Sequence, residues 1–91
     1  MELKRKWWRW HNENPHIYEA FEKYSLYAIS RGKQKLSAWL IINRLRWDTE
    51  VETTGGEFKI SNDFIAYYAR LFMAYNPEYE GFFNVKKMKD E

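Results

Sequence analysis

The apolar positions after Asn14 recur every three or four residues, which is the spacing of one face of an α-helix. They are Ile17, Phe21, Tyr24 and Ala28, with Leu26 and Ile29 beside them. Asn14 can cap a helix, and Pro15 suits the first helical position because proline has a preset φ and no N–H to leave unbonded. Gly32 supplies a stop signal. The pattern predicts a helix from about Pro15 to Arg31.

Two later stretches have the same spacing. Ser37 is suited to cap a second helix that runs to about Thr49, with an inward stripe formed by Ala38, Ile41, Ile42 and Leu45. Ser61 is suited to cap a third helix that ends near Tyr75, with its apolar face formed by Phe64, Ile65, Tyr68, Leu71, Phe72 and Tyr75. Asn76-Pro77 then repeats the earlier Asn-Pro signal and leaves space for one helical turn before Gly81.

The pattern changes between the second and third predicted helices. Phe58 and Ile60 alternate with charged residues after Gly55-Gly56, and such alternation around a glycine turn is typical of a β-hairpin. We therefore predict a short hairpin over residues 51–60, although a structured loop fits the same residues nearly as well.

Together these elements predict a mainly α-helical fold. It is a compact three-helix domain with a short β-hairpin between the second and third helices and a one-turn helix near the C-terminus. Such an order is compatible with a helix-turn-helix or winged-helix arrangement. Ninety-one residues are too few for two independent cores, so we expect one domain over residues 1–91. Within it, residues 1–12 form a basic, tryptophan-rich lead-in and residues 86–91 a frayed tail.

Composition narrows the functional classes. Aromatic residues make up 20% of the chain, more than one small core comfortably hides, so we expect some of them to face a partner. With no cysteine, disulfides and thiolate metal sites are excluded, and the default location is the cytoplasm of the host cell. The longest apolar run, residues 38–42, is far too short to cross a membrane, so no membrane partner is expected. No cofactor and no metal site are predicted.

The distribution of charge is more informative than the net charge of +2. Cations cluster near the N-terminus and around the first predicted turn, and polar residues of the third helix lie off its apolar face, where they could reach a nucleic-acid groove. The predicted nucleic-acid contacts are Lys4, Arg5, Lys6, Arg9, Lys33, Lys35, Lys59, Asn62, Tyr67 and Arg70. We expect DNA rather than RNA as the partner, and the alternative is an ordinary solvated helix face.

Tryptophans sit among the N-terminal cations. Trp7 and Trp10 are three residues apart, so in a helical or turn-like lead-in they share a side that can close over the first predicted helix. Trp8 then remains available, together with the cations, to contact a partner. The segment is therefore predicted to be half lid and half contact surface.

A second hypothesis is a protein interface formed by Trp8, Arg44 and Trp47. Arg44 and Trp47 are three apart and adjacent on a helix, and arginine beside tryptophan can anchor a protein contact or stack on bases. The alternative is a cation–π contact or salt bridge on the helix surface. Exposed aromatics could also pair two copies of the chain, giving a homodimer.

No nucleophile with an evident base is visible, so we expect a binding protein and not an enzyme. The best titratable set is Asp48 with Glu57 and Lys59, whose spacing resembles the D…ExK signature of a large nuclease superfamily. Such a set could hold a divalent cation and activate water. A metal-dependent nuclease is therefore a third alternative.

Asn14-Pro15, the segment from Ser37 to Trp47 and the run from Phe58 to Phe83 together resemble a family of short, uncharacterised proteins encoded by bacteriophages and prophages. The resemblance covers roughly residues 13–85. The family has no established activity, so no functional residue is carried over. The resemblance implies a context in which small proteins are often DNA-binding regulators, accessory replication factors, or inhibitors of host machinery such as defence systems.

Overall fold

The computed structural model describes residues 2–52 and 59–85, and these residues form four α-helices with no β-strand among them. The helices are α1 Glu2–Glu13, α2 Pro15–Ser30, α3 Ala38–Trp47 and α4 Ile65–Tyr75. The mainly helical class predicted from the sequence is correct, but the predicted number of helices and the hairpin are wrong.

Three short helical segments extend this framework. A π-helical turn, Asp48–Glu52, continues α3, and a 3-10 turn, Asn62–Phe64, leads into α4. A second 3-10 turn, Pro77–Tyr79, provides the one-turn helix expected near the C-terminus. Ser61 has the capping role predicted for it, because its hydroxyl accepts a hydrogen bond of 3.1 Å from the Asp63 amide.

The two Asn-Pro pairs perform the same local task. The side-chain amide of Asn14 donates to the Trp10 carbonyl at 3.0 Å, and that of Asn76 donates to the Phe72 carbonyl at 3.0 Å. Each asparagine therefore closes the helix before it, while the proline after it begins the next helical segment. Neither asparagine caps the following helix with its side chain.

The predicted hairpin is wrong in the part of the chain that can be compared. Val51, expected in its first strand, belongs to the π-helical turn, and Ile60, expected in its second, lies in no strand. Ile60 is instead a buried core residue whose carbonyl accepts a hydrogen bond of 2.6 Å from the Arg46 side chain. The predicted turn at Gly55-Gly56 lies outside the described residues.

The DNA-binding arrangements suggested for the fold are also wrong. A winged helix needs the hairpin as its wing. A helix-turn-helix joins its two helices by a turn of about three or four residues, whereas residues 48–64 separate α3 from α4.

The last α-helix is the centre of the core. Tyr68, Ala69 and Phe72 on α4 are all 0% exposed. Phe21 of α2 stacks on Tyr68 with ring centroids 5.5 Å apart, and Phe83 meets Phe72 edge-on at 5.6 Å. Because α4 contacts α2, α3 and the segment after it, it forms the buried middle of the molecule and not a projecting recognition element.

The molecule is flat, with principal extents of 36 × 35 × 17 Å. Packed helices lie about 8–10 Å apart, so the short dimension accommodates roughly two layers of helices. No helix in the described ranges has both the length and the apolar character required to cross a bilayer.

Candidate nucleic-acid interface

One side of α1 is anchored in the core by tryptophan. Trp7 is 2% exposed and packs on α4, stacked on Tyr67 with centroids 5.5 Å apart and edge-on to Tyr68 at 4.5 Å. The indole N–H of Trp10 donates to the Tyr68 hydroxyl at 2.6 Å. Trp7 and Trp10 therefore lie on the same side, as their spacing predicts, and both rings also contact Phe64 in the 3-10 turn before α4.

The opposite side of α1 is basic and exposed. Four cations, which we call the α1 cations, lie there or on its flanks: Lys4, Arg5, Lys6 and Arg9. Trp8 lies among them with 42% of its surface exposed. Within residues 2–52 and 59–85, no carboxylate forms an ion pair with any α1 cation.

This charge arrangement is locally unfavourable for the helix. The N-terminal end of a helix carries a partial positive charge, so cations in its first turns are destabilising there. Arg5 and Arg9 are also four apart, and like charges at that spacing repel by about 0.2–0.5 kcal/mol. Only Glu2 complements the helix end. A bound polyanion would relieve both effects.

A shallow groove runs beside this face, between α1 and α4. Lys4 and Trp8 line it from α1, and Arg70 lines it from α4, with no acidic residue among its described lining residues. These three residues, chosen from the sequence for separate reasons, are therefore brought together by the packing of α1 on α4.

The groove continues into two adjoining concave surfaces, each of which shares lining residues with the one before it. Arg70 and Lys35 line the next one, where Glu80 is the acidic neighbour. Lys35 then lines a third surface together with Trp39 and Asn62, again without an acidic residue among those described. We call the three surfaces together the α4 groove.

Other predicted contacts are placed less favourably. Lys33 lines none of the three surfaces of the groove but a further one, which Glu78 and Glu80 also line. Lys59 is exposed but lines none of the three surfaces of the groove.

Two residues of the third predicted helix that were expected to contact nucleic acid interact instead with other side chains of the protein. Tyr67 is 6% exposed and stacks on Trp7, so its ring is part of the core and does not reach outward. The Asn62 side-chain oxygen accepts a hydrogen bond of 2.6 Å from Arg46. The same guanidinium group bonds to the Ile60 carbonyl, so Arg46 ties α3 to the entrance of α4, a role that the sequence analysis missed.

The Arg44 side chain is held by its own neighbours. Its guanidinium lies 5.2 Å from the centroid of the Tyr24 ring, and its Nε is 3.3 Å from Asp48 Oδ1. The Tyr24 hydroxyl donates to the other oxygen of Asp48. This hydrogen bond raises the pKa of Tyr24, so the phenol stays protonated. Arg44 thus forms the cation–π contact and salt bridge that were the alternative to an interface role.

The same cluster bears on the nuclease hypothesis. Asp48 is occupied by a phenol and a guanidinium group, while Glu57 lies outside the described residues. Among residues 2–52 and 59–85, no group of three His, Asp or Glu side chains is placed to hold a metal ion. Lys59 is exposed, but of its two predicted acidic partners only Asp48 lies in the described part of the chain.

An apolar stripe on α3 was missed. Leu40, Trp47 and Val51 are 52%, 55% and 57% exposed, and their spacing of seven and four residues places them along one side of the helix and its π-helical continuation. The signal was present in the sequence, because the buried residues of α3 already account for the inward face and leave these three outside. We call this surface the α3 stripe.

Comparison with known proteins adds no relative to this description. No protein-family model matches the chain, and searches of curated proteins and of solved structures find no similar protein.

Proposed function

We propose that the protein binds nucleic acid through the α1 cations and the neighbouring α4 groove. The observation that carries the proposal is the two-sided construction of α1. Trp7 and Trp10 fix one side of the helix to the core, and the other side presents four cations and Trp8. A firmly anchored helix that presents several cations suits a phosphate backbone, whose contacts supply most of the affinity of non-specific binding.

The arrangement of charge also supports this proposal over an ordinary solvated surface. A solvated face commonly mixes acids and bases, which relieves repulsion. On α1 the cations are adjacent, close to the positive end of the helix, and without an ion-paired carboxylate in the described chain. Such a local conflict is typical of a functional site, where a ligand resolves it.

The expected partner is DNA rather than RNA, in a regulatory or accessory replication role. The resemblance to phage proteins suggests that setting. The proposal concerns binding alone and assigns no catalytic residue.

The α1 cations can be tested directly by fluorescence anisotropy at low salt with labelled DNA. Replacing all four with serine should lower the affinity by at least about tenfold, because each lost phosphate contact removes counterion-release free energy. The matched single variants Arg9→Ser and Lys23→Ser separate position from charge, since both cations are exposed but Lys23 lies on α2. Arg9→Ser should weaken binding and Lys23→Ser should not. Equal effects of the two variants would contradict the proposal.

A second candidate function is favoured by the α3 stripe. Three large apolar side chains that are each more than half exposed form a patch of the kind that marks protein interfaces. The partner would be a host or phage protein, as expected of an inhibitor of host machinery, or a second copy of the chain.

This second candidate predicts binding that is insensitive to salt. Leu40→Ser combined with Trp47→Ser should abolish recovery of a stoichiometric partner from host lysate, while Tyr27→Ser, an equally exposed aromatic on α2, should not. Sedimentation identifies a homodimer by its mass. If sedimentation gives the mass of a monomer and neither the original chain nor the variants recover a partner from lysate, this candidate is contradicted.

A further inference from the structure

We infer that the nucleic acid in the α4 groove is single-stranded and that the exposed indole of Trp8 stacks on one of its bases. The inference rests on the proposed function and specifies its ligand. It starts from the pairing of exposed indoles with cations, because single-strand binding sites combine a basic groove with aromatic side chains on which bases stack.

Trp8 has the surroundings that such a role requires. Its ring is 42% exposed, yet it lies against two other rings, 6.4 Å from Trp7 and 5.8 Å from His11 between centroids. These neighbours restrict its rotation without burying it. Because Lys4 and Arg70 line the same groove, a base stacked on Trp8 would have its phosphates beside two cations.

The far end of the groove repeats this combination. Trp39 is 59% exposed and lines the groove together with Lys35. Arg70 lies between the two ends, since it borders both the surface with Trp8 and the surface with Lys35. Consecutive surfaces of the groove share lining residues, because Arg70 borders the first two and Lys35 borders the last two. A short single strand can therefore place bases near both indoles and phosphates near the cations between them.

A duplex fits these features less well. Its bases are stacked on one another, so they offer no free face to an indole. Reading a duplex through its major groove usually requires a helix that projects from the protein. The α4 helix does not project, because only Ala74 and Tyr75, at its C-terminal end, are exposed. A duplex would therefore bind through the α1 cations alone, which can contact the phosphates of both single-stranded and double-stranded nucleic acid.

The test measures anisotropy with labelled oligothymidylate, oligouridylate and duplex DNA at low salt, using single strands of about 4 to 16 nucleotides, the range of known site sizes. The full-length chain is compared with Trp8→Ala and with Trp47→Ala, a matched exposed indole outside the groove. We expect single strands to bind more tightly than duplex. Trp8→Ala should weaken single-strand binding roughly 5- to 150-fold and leave duplex binding nearly unchanged. Trp47→Ala should change neither.

The outcomes separate the inference from the function on which it rests. Absence of binding to all three probes would remove both. Duplex binding at least as tight as single-strand binding, or full single-strand affinity in a folded Trp8→Ala variant, would overturn the inference while leaving the proposed function standing. If melting shows that Trp8→Ala is unfolded, the same comparison with Trp39→Ala decides. Tighter binding of oligouridylate than of oligothymidylate would leave the single-strand inference standing but would contradict the expected preference for DNA.

Discussion

His11 lies at the junction of α1 and α2 with its imidazole surrounded by aromatic rings. It stacks on Trp7 at 5.4 Å and meets Tyr18 of α2 edge-on at 5.9 Å. Its Nδ1 is buried and has no hydrogen-bond partner among the residues that the structure describes. Burial lowers the pKa of His11 below its ordinary value of 6.5, because the charged form loses solvation.

The lowered pKa predicts that the folded state loses stability on acidification. As pH falls below 6.5, the unfolded chain takes up a proton on His11 before the folded chain does, so the contribution of the neutral ring is complete above pH 6.5 and declines below it. Thermal melting between about pH 7 and pH 5, above the range where most carboxylates titrate, should show a smaller loss of stability in His11→Gln than in the original chain. Parallel pH profiles for the two proteins would contradict this assignment.

Consecutive residues of the same type can have opposite roles, as Trp7 and Trp8 show. Trp7 is 2% exposed and Trp8 is 42% exposed. The three-residue spacing of Trp7 and Trp10 was sufficient to predict which indoles share a side. It could not predict that they contact α4, because helical spacing defines a face and not its distant partner. For the same reason Tyr67 was placed outside: its burial depends on Trp7, which is 60 residues earlier in the chain.

At the scale of elements, the sequence predicted the helices that have local signals. Pro15 begins α2, and Gly32, with φ of 96°, provides the left-handed residue that follows its end. The first helix was missed as a full element, although Leu3, Trp7 and Trp10 have helical spacing, because its many adjacent cations obscure the pattern. Its formation depends on packing against α4, which offsets the unfavourable charge at its start.

The segment after α3 was misassigned for a different reason. Alternation of apolar and charged residues predicts a strand only where another strand can pair with it. Here Asp48 is bound to Tyr24 and Arg44, which favours continued helical winding, and Arg46 takes the carbonyl of Ile60 that a strand partner would need. These contacts join residues that are 14 or more positions apart, apart from the local pair Arg44 and Asp48, so local patterns do not indicate them.

For the whole molecule, flatness and aromatic content have a common consequence. Two layers of helices provide little interior relative to surface, and the chain is 20% aromatic. Several indoles and phenols therefore remain outside, as the composition suggested. The packing of α1 on α4 then determines which of these exposed rings lie beside cations, because it brings Trp8 and Lys4 beside Arg70. The candidate residues could be chosen from the sequence, but their assembly into one groove depends on long-range packing.

The salt dependence of DNA binding tests the central claim most directly, namely that the α1 cations contact phosphates. With about four contacts to a single strand, the logarithm of the binding constant should fall linearly with the logarithm of salt concentration, with a slope of about −3. The variant in which all four α1 cations are replaced by serine should show a slope much closer to zero. A flat dependence in the original chain, or the same slope in both proteins, would contradict the account.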